Sequence, residues 1–401
     1  MKRILTITLI GAALAAAFAS PLMAADVASV AEARREIARN VASLVNDPGF
    51  DKALRGQLSK NKAMLNDVLV EYTSGNAKAR QDVSDTLHDL DRQAIHLRGL
   101  DGALDALVDL RVSGPGDRPP ASIRQTWTGT FVKNEATGQK DLVAYDPSGT
   151  EHRYPADAAP DVPMLLVESK NNAATGAGVR VMNDAMRREG FQSGTRRATA
   201  KGADGQEDLT ILTDIYLTDD REPITALDAD IFAVVSGVGP EGKAEIVSVD
   251  LPWLDHDKRW YNPRQDLITW RNFGANYVNV QLFEDDGDTN FKEMVTTVVG
   301  AVGDLSLLVA PTAPPALIVA GVTKIANEII KVLPGKWFEN SADYIDSFYV
   351  IERGSHFTRE NPLVGARGWA QIGIRPYVAA GGSFKTFVDK TETGKVAAKN
   401  P

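Results

Sequence analysis

The densest group of potential metal ligands is the run Glu284-Asp285-Asp286-Gly287-Asp288-Thr289-Asn290, which follows an apolar run from Tyr277 to Phe283. Asp286, Asp288 and Asn290 stand at alternate positions, so one tight loop can direct their oxygens at a single ion. Carboxylates about 4 Å apart repel each other by about 4 kcal/mol per pair at an effective dielectric constant of about 20. A divalent cation relieves this repulsion, and calcium prefers oxygen ligands. The run predicts a calcium site outside the EF-hand pattern, which is broken by Phe291 and Thr297.

Three further acidic turns border predicted strands. One follows the alternating strand Leu209 to Leu217, one follows Ala244 to Val249, and one precedes Phe348 to Ile351. Four acidic turns on one sheet system predict the rim of a β-sandwich with a bound calcium ion. The predicted ligands are Asp219, Asp220, Glu222, Asp230, Asp255, Asp257, Asp285, Asp286, Asp288, Asn290, Asp343 and Asp346. The alternative is that these acids only solvate turns, as in most Asp-Gly turns.

A catalytic alternative rests on the same acids. A hydrolase could hold a metal at this rim and activate water with Asp255 or His256. The sequence has no His-Glu-x-x-His, Gly-x-Ser-x-Gly or phosphate-binding glycine loop, and a single Ser-x-x-Lys match at Ser59 is expected by chance. We therefore assign no catalytic residue.

Aromatic residues crowd the second acidic turn and the strand after it: Trp253, Trp260, Tyr261 and Trp270. Exposed rings would suit contact with carbohydrate or lipid headgroups, because they are flat and amphipathic. Buried rings would be ordinary core residues, and the pattern favours that interpretation.

The period of the apolar residues predicts an α+β fold with several regions. An apolar run from Ile4 to Phe18 after Lys2 and Arg3 is typical of an export signal, so the chain is expected to be periplasmic or secreted. The predicted regions are a signal peptide (1–25), a helical region (26–112), a linker (113–120), a small mixed α/β region (121–204), a C2-like antiparallel sandwich (205–378) with a helical insertion (294–332), and a flexible tail (379–401). Helices are expected over Lys52–Tyr72, Asn76–Leu97 and Asp101–Leu110.

Bulk composition narrows the possible partners. The net charge of −9 argues against nucleic acid, and the absence of cysteine excludes disulfides. The apolar insertion could enter a membrane, but its prolines, Asp304 and Lys324 oppose a spanning helix, so covering helices are favoured. The partner is expected to be an envelope or extracellular ligand.

Four segments together resemble an exported bacterial family, domain of unknown function 3103. They run from Leu217 to Pro223, Asp230 to Val235, Val249 to Asp255 and Phe283 to Lys292. The resemblance implies no activity, since the family has none assigned. Strands that end in acidic loops are also remotely similar to C2-type calcium sandwiches, from which the apolar insertion departs. The expected function is that of an exported, non-enzymatic calcium-binding module.

Overall fold

The computed structural model describes residues 26–74, 78–114, 122–134, 140–169, 171–191, 207–218, 230–252, 254, 257–285, 287–303, 310, 312–332 and 344–379. Within these ranges the chain forms seven α-helices and fifteen strands, and the strands make three sheets. The two sheets of the C-terminal half are antiparallel throughout. The predicted α+β class is confirmed.

Four helices occupy the N-terminal part: α1 (Val30–Leu44), α2 (Pro48–Gln57), α3 (Leu65–Thr73) and α4 (Lys78–Leu97). Ser29 and Asp47 cap α1 and α2 by accepting backbone amides, and Pro48 opens α2 at a position that tolerates proline. α4 confirms the helix expected over Asn76–Leu97. The helix expected over Lys52–Tyr72 is divided in two by a turn with positive φ at Lys60 and Asn61 and the short strand β1 (Lys62–Met64).

The helix expected over Asp101–Leu110 is wrong. The carboxylate of Asp91 accepts the amides of Leu107 (3.2 Å) and Val108 (2.9 Å), which removes donors that a helix would use. The chain then enters strand β2 (Val108–Ser113), which pairs with β6 (Met164–Ser169). Pairing with a strand distant in sequence overrides the local helical pattern.

The first sheet has the strand order β1-β2-β6-β3-β4-β5, where β3 is Trp127–Lys133, β4 is Lys140–Tyr145 and β5 is Glu151–Pro155. The first two strands come from the region expected to be helical, so that region and the mixed region share one sheet. Ile37 and Val41 of α1 pack on Val143 and Leu165 of this sheet in one buried core.

The other two sheets face each other as a sandwich. The second has the order β10-β7-β15-β14 with β11 also paired to β7, and the third has the order β13-β12-β8-β9. Their strands are β7 (Glu207–Leu217), β8 (Ile231–Val238), β9 (Ala244–Asp250), β10 (Trp260–Tyr261), β11 (Gln265–Thr269), β12 (Tyr277–Glu284), β13 (Tyr344–Glu352), β14 (Leu363–Val364) and β15 (Ala370–Ala379). Leu212 and Ile372 of the second sheet share a buried core with Val280 and Phe348 of the third.

Three helices cover the other face of the third sheet: α5 (Asn171–Arg188), α6 (Phe291–Gly303) and α7 (Pro315–Val332). Val298 and Ile325 pack with Phe232 and Phe283 of the sheet. The expected pair of covering helices in the insertion is confirmed. Among the helices of the described ranges, none combines the length and the apolar character that crossing a membrane requires.

Candidate functional site

The described strand ends that border the acidic segments lie together at one end of the third sheet. Because its strands are antiparallel, β9 and β12 finish where β8 and β13 begin. The register pairs Glu284 with Ile231, Asp250 with Phe232, and Asp346 with Leu282. We call this region the acidic end and define it by Asp230, Asp250, Glu284, Asp285 and Asp346.

Two carboxylates of the acidic end project between the two sheets of the sandwich. Glu284 stands opposite Ile231 and Asp346 opposite Leu282, and opposite residues in an antiparallel pair share a face. Ile231 and Leu282 belong to the core between the sheets. Both carboxylates are fully buried, so they lie inside the protein and away from the rim surface.

Two other carboxylates lie on the helical face of the same sheet. Asp250 stands opposite Phe232, which packs under the helices. Asp285 accepts a hydrogen bond from the hydroxyl of Thr175, on α5, at 2.6 Å. The acids of the acidic end are therefore divided between opposite faces, and they cannot all reach one ion.

Arg98 neutralises Asp285 inside the protein. The two side chains are both fully buried, and Nη2 of Arg98 donates to the carboxylate. The amide of Gly287 donates to the same carboxylate at 3.1 Å, and the guanidinium lies 5.3 Å from the centroid of the Phe291 ring. The cation that the acid run requires is here supplied by the chain itself.

The end of α4 positions this arginine. Gly99 has φ of +66°, and the amide of Leu100 bonds to the carbonyl of Ile95 at 3.0 Å, which is the pattern of a Schellman cap. A Cβ atom on Gly99 would lie 2.6 Å from Cβ of Lys292. Glycine therefore allows both the turn and the close approach that places Arg98 at the acidic end.

Asp346 connects the two sheets of the sandwich. One oxygen accepts the amides of Ser347 and Arg367 at 2.8 Å each, and the other accepts those of Trp369 at 2.8 Å and Ala370 at 3.0 Å. The last three amides belong to the turn between β14 and β15 and to the start of β15. Both oxygens are thus used to hold this turn against β13.

Asp250, on the helical face of the third sheet, has a raised pKa. Burial raises its pKa to about 6, although Arg180 and the amide of Leu251 favour the charged form. Its carboxylate lies close under Gly176, where a Cβ atom would be 2.9 Å from Oδ2. Asp250 was not among the predicted ligands, because a single acid at a strand end carries no signal of burial.

The remaining predicted ligands within the described ranges bond to other groups of the chain. Asp288 contacts Arg34 at 3.4 Å, and Asp257 contacts Lys258 at 2.7 Å. Asn290 caps α6 by accepting the amide of Glu293 at 3.0 Å. Asp230 is buried, and its carbonyl accepts the amide of Asp285 at 2.8 Å. The predicted ligands Asp219, Asp220, Glu222, Asp255, Asp286 and Asp343 lie outside the described residues, as do Trp253 and His256.

No preformed metal centre is found in the part of the chain that the structure describes, where no three acidic or histidine side chains are grouped to hold an ion. Sequence reasoning missed Arg98 and Thr175. A glycine after a helical run is a signal of a helix end, but the sequence separation of 187 between Arg98 and Asp285 hides their contact.

Trp270, one of the aromatic residues near the second acidic turn, is a core residue. It is 1 % exposed and donates from Nε1 to the hydroxyl of Thr210 at 2.8 Å. Trp260 and Tyr261 are half-buried on the short strand β10. Tyr261 stands opposite Ile215 and packs against the core between the sheets, so it fits the core interpretation as Trp270 does.

The fold and this site define an α+β protein with a two-sheet sandwich, one covering layer of helices and an internally neutralised acidic end. The family model described as "Protein of unknown function (DUF3103)" matches residues 34–381. The chain belongs to this family, which confirms that part of the resemblance. A comparison with curated proteins found no match.

Proposed function

We propose that this chain is an exported calcium-binding protein that contacts a component of the cell envelope through the acidic turns that adjoin the acidic end of its sandwich. The observation that carries the proposal is the meeting of four strand ends, at Asp230, Asp250, Glu284 and Asp346, at one end of a single sheet. The acidic turns that continue from these strands then start close together. Calcium is suited to such a rim because it accepts oxygens from several short loops.

The internal contacts decide which acids remain as ligands. Asp285 and Asp346 are committed to Arg98 and to four backbone amides, so we leave both out of the ligand set. Among the predicted ligands that the structure describes, Asp288 is the best candidate, because its side chain is 40 % exposed and its contact with Arg34 is long, at 3.4 Å. Arg34 is only 11 % exposed, so this pair is not a fully exposed one, and calcium must compete with the guanidinium for the Asp288 carboxylate.

The other proposed ligands come from the acidic turns. They are Asp219, Asp220, Glu222, Asp230, Asp255, Asp257, Asp286, Asn290 and Asp343. An affinity of about 0.1–1 mM is typical of extracellular calcium modules. Similarity to C2-type sandwiches is part of this proposal and is supported by acidic sequences that adjoin the strand ends of two packed sheets. Export is supported by Lys2, Arg3 and the apolar run that follows them.

Isothermal titration of the full chain with calcium chloride tests the proposal. We expect a saturable heat with a dissociation constant of about 0.1–1 mM and a several-fold weaker affinity for Asp288→Asn. Asp82→Asn is the matched control, because Asp82 is an exposed acid on α4. Absence of a calcium-dependent heat, or identical isotherms for the wild type and Asp288→Asn, would contradict the proposal.

A further inference from the structure

The second sheet presents a row of side chains on the face that points away from the sandwich core. In the register of four neighbouring strands, Trp260 stands opposite Tyr216, Tyr216 opposite Gln371, and Gln371 opposite Val364. The flanking residues Ile215, Ala370 and Ile372 lie in the core between the sheets. Because side chains alternate along a strand, the row lies on the opposite, outer face.

The row contains an aromatic platform with a cation on it. The rings of Tyr216 and Trp260 have centroids 5.4 Å apart and are tilted by 39°. The guanidinium of Arg359 lies 5.4 Å from the centroid of the Trp260 ring. Both rings are half-buried and Arg359 is exposed. The platform is therefore held in place by packing and remains open to a ligand.

Polar groups adjoin the platform. Asn262 donates from Nδ2 to Asp214 at 3.1 Å and accepts from Nε of Arg264 at 2.9 Å. Gly373 stands opposite Asp214 in the neighbouring strand, and the Asp214 side chain lies against it, since a Cβ atom on Gly373 would be 2.9 Å from Oδ2 of Asp214. The result is a shallow surface with ring faces at one end and hydrogen-bonding groups beside them.

Basic side chains cluster beside the platform, together with the acids Asp214 and Glu360. The segment 258–264 contains three basic residues and no acid, and Arg359 adds a fourth, whereas the whole chain carries −9. Within the described ranges, no ion pair within 4 Å joins Arg359 or Arg264 to a carboxylate, although the exposed Glu360 next to Arg359 interacts with it electrostatically. A guanidinium without such a partner can receive a carboxylate of a ligand through two parallel hydrogen bonds.

We propose that this outer face binds an acidic polysaccharide, with a sugar ring stacked on Trp260 and Tyr216 and a sugar carboxylate held by Arg359. Ring faces stack well against the C–H face of a pyranose because both are flat and weakly polar. Amide and carboxylate groups such as Gln371 and Asp214 match sugar hydroxyls. A membrane surface fits less well, because Val364 is the only large apolar side chain exposed in this row.

Native electrophoresis of the full chain in gels containing polygalacturonate tests this proposal. EDTA is included so that calcium cannot bridge the acidic end to the polysaccharide. We expect retardation that is absent in gels with neutral dextran. Arg359→Gln should raise the dissociation constant about tenfold, which corresponds to about 1.4 kcal/mol, and Trp260→Ala should abolish retardation.

The control variants are Trp127→Ala and Arg153→Gln, on the first sheet. Trp127 also packs against a second ring, that of His152 at 4.8 Å, and Arg153 is an exposed arginine on β5. Both controls should bind like the wild type. Arg359→Gln alters an exposed side chain, so it tests the site even if Trp260→Ala does not fold.

Several outcomes would overturn the proposal. They are no retardation by polygalacturonate, equal retardation of the wild type and Arg359→Gln, and a loss of binding in Trp127→Ala. Binding to phosphatidylglycerol vesicles without retardation by polygalacturonate would assign the face to a membrane partner instead. Because EDTA is present, a failure of the calcium proposal leaves this test unaffected.

Discussion

Replacing Arg98 by methionine tests how much the buried ion pair with Asp285 stabilises the fold. Methionine keeps an unbranched apolar chain of similar length against Phe291 but removes the cation. Asp285 would then retain only two neutral donors, the hydroxyl of Thr175 at 2.6 Å and the amide of Gly287 at 3.1 Å. Its carboxylate would stay fully buried.

The expected loss is large because the ion pair has no access to water. Removing one partner of a buried pair costs about 3–5 kcal/mol, and the two remaining donors place this case at about 3 kcal/mol. Asp285→Leu should cost a similar amount, because it leaves the guanidinium of Arg98 buried without its carboxylate. The double variant should lose less than the sum of the two, with a coupling free energy of about 2 kcal/mol.

Urea unfolding followed by circular dichroism and tryptophan fluorescence measures these free energies, provided that the two signals coincide. The matched control is Arg92→Met, which removes an exposed ion pair with Asp89 on the same helix and should cost less than about 1 kcal/mol. A loss for Arg98→Met no larger than that of the control would refute the reasoning. Strict additivity in the double variant would do so as well.

Three further predictions concern the same region. Gly99→Ala should lower the free energy of unfolding in urea clearly more than Gly102→Ala. Both glycines have positive φ, but an added Cβ meets Lys292 at 2.6 Å only at Gly99 and meets nothing within 4 Å at Gly102. Asp346→Asn should lower the free energy of unfolding by about 2–4 kcal/mol, because the amide nitrogen of the new side chain is a donor and must face backbone N–H donors. In the folded chain the pKa of Asp250 is raised from 3.8 to about 6, so the folded state binds its proton more tightly than the unfolded state. Stability should therefore fall as pH rises from about 4 to about 6, and Asp250→Asn should flatten this part of the profile.

Each of these predictions has a result that contradicts it. Equal losses at Gly99 and Gly102 would mean that the end of α4 does not pack tightly on the start of α6. If Asp346→Asn lowers the free energy of unfolding no more than the exposed Asp288→Asn does, the Asp346 carboxylate does not hold the turn between β14 and β15. An unchanged pH profile in Asp250→Asn would assign the titration to another group, and Asp91 is the alternative, since burial also raises its pKa to about 6.

The regular elements were predictable where the apolar period is long. The period of two predicted β7, the apolar run from Tyr277 to Phe283 predicted β12, and the helical period predicted α4 and the two helices of the insertion. The short strands β1 and β2 were not predicted, because they exist through pairing with each other and with β6. A local pattern does not contain this information, and the same limit produced the helix wrongly expected over 101–110.

The grouping of the strand ends that border the acidic segments was predictable, but the pairing of Asp285 with Arg98 was not. Acidic turns at strand ends indicated a common rim, and the described strand ends do lie together. The arginines that contact Asp285 and Asp288 are 187 and 254 residues away in sequence. Charge repulsion in a sequence therefore shows that cations are required, without showing whether they are metal ions or side chains.

The alternation of β-structure further limits any metal site at this end. Glu284 is the last residue of β12 and projects between the sheets, whereas Asp285 turns to the helical face and Arg98. Consecutive acids on a strand thus point in opposite directions and cannot share an ion. Ligands can converge only after the strand has ended, where the backbone no longer alternates. A calcium site in this chain must therefore be built from Asp288 and the turns, and the number of acids near the sheet overstates the number of ligands.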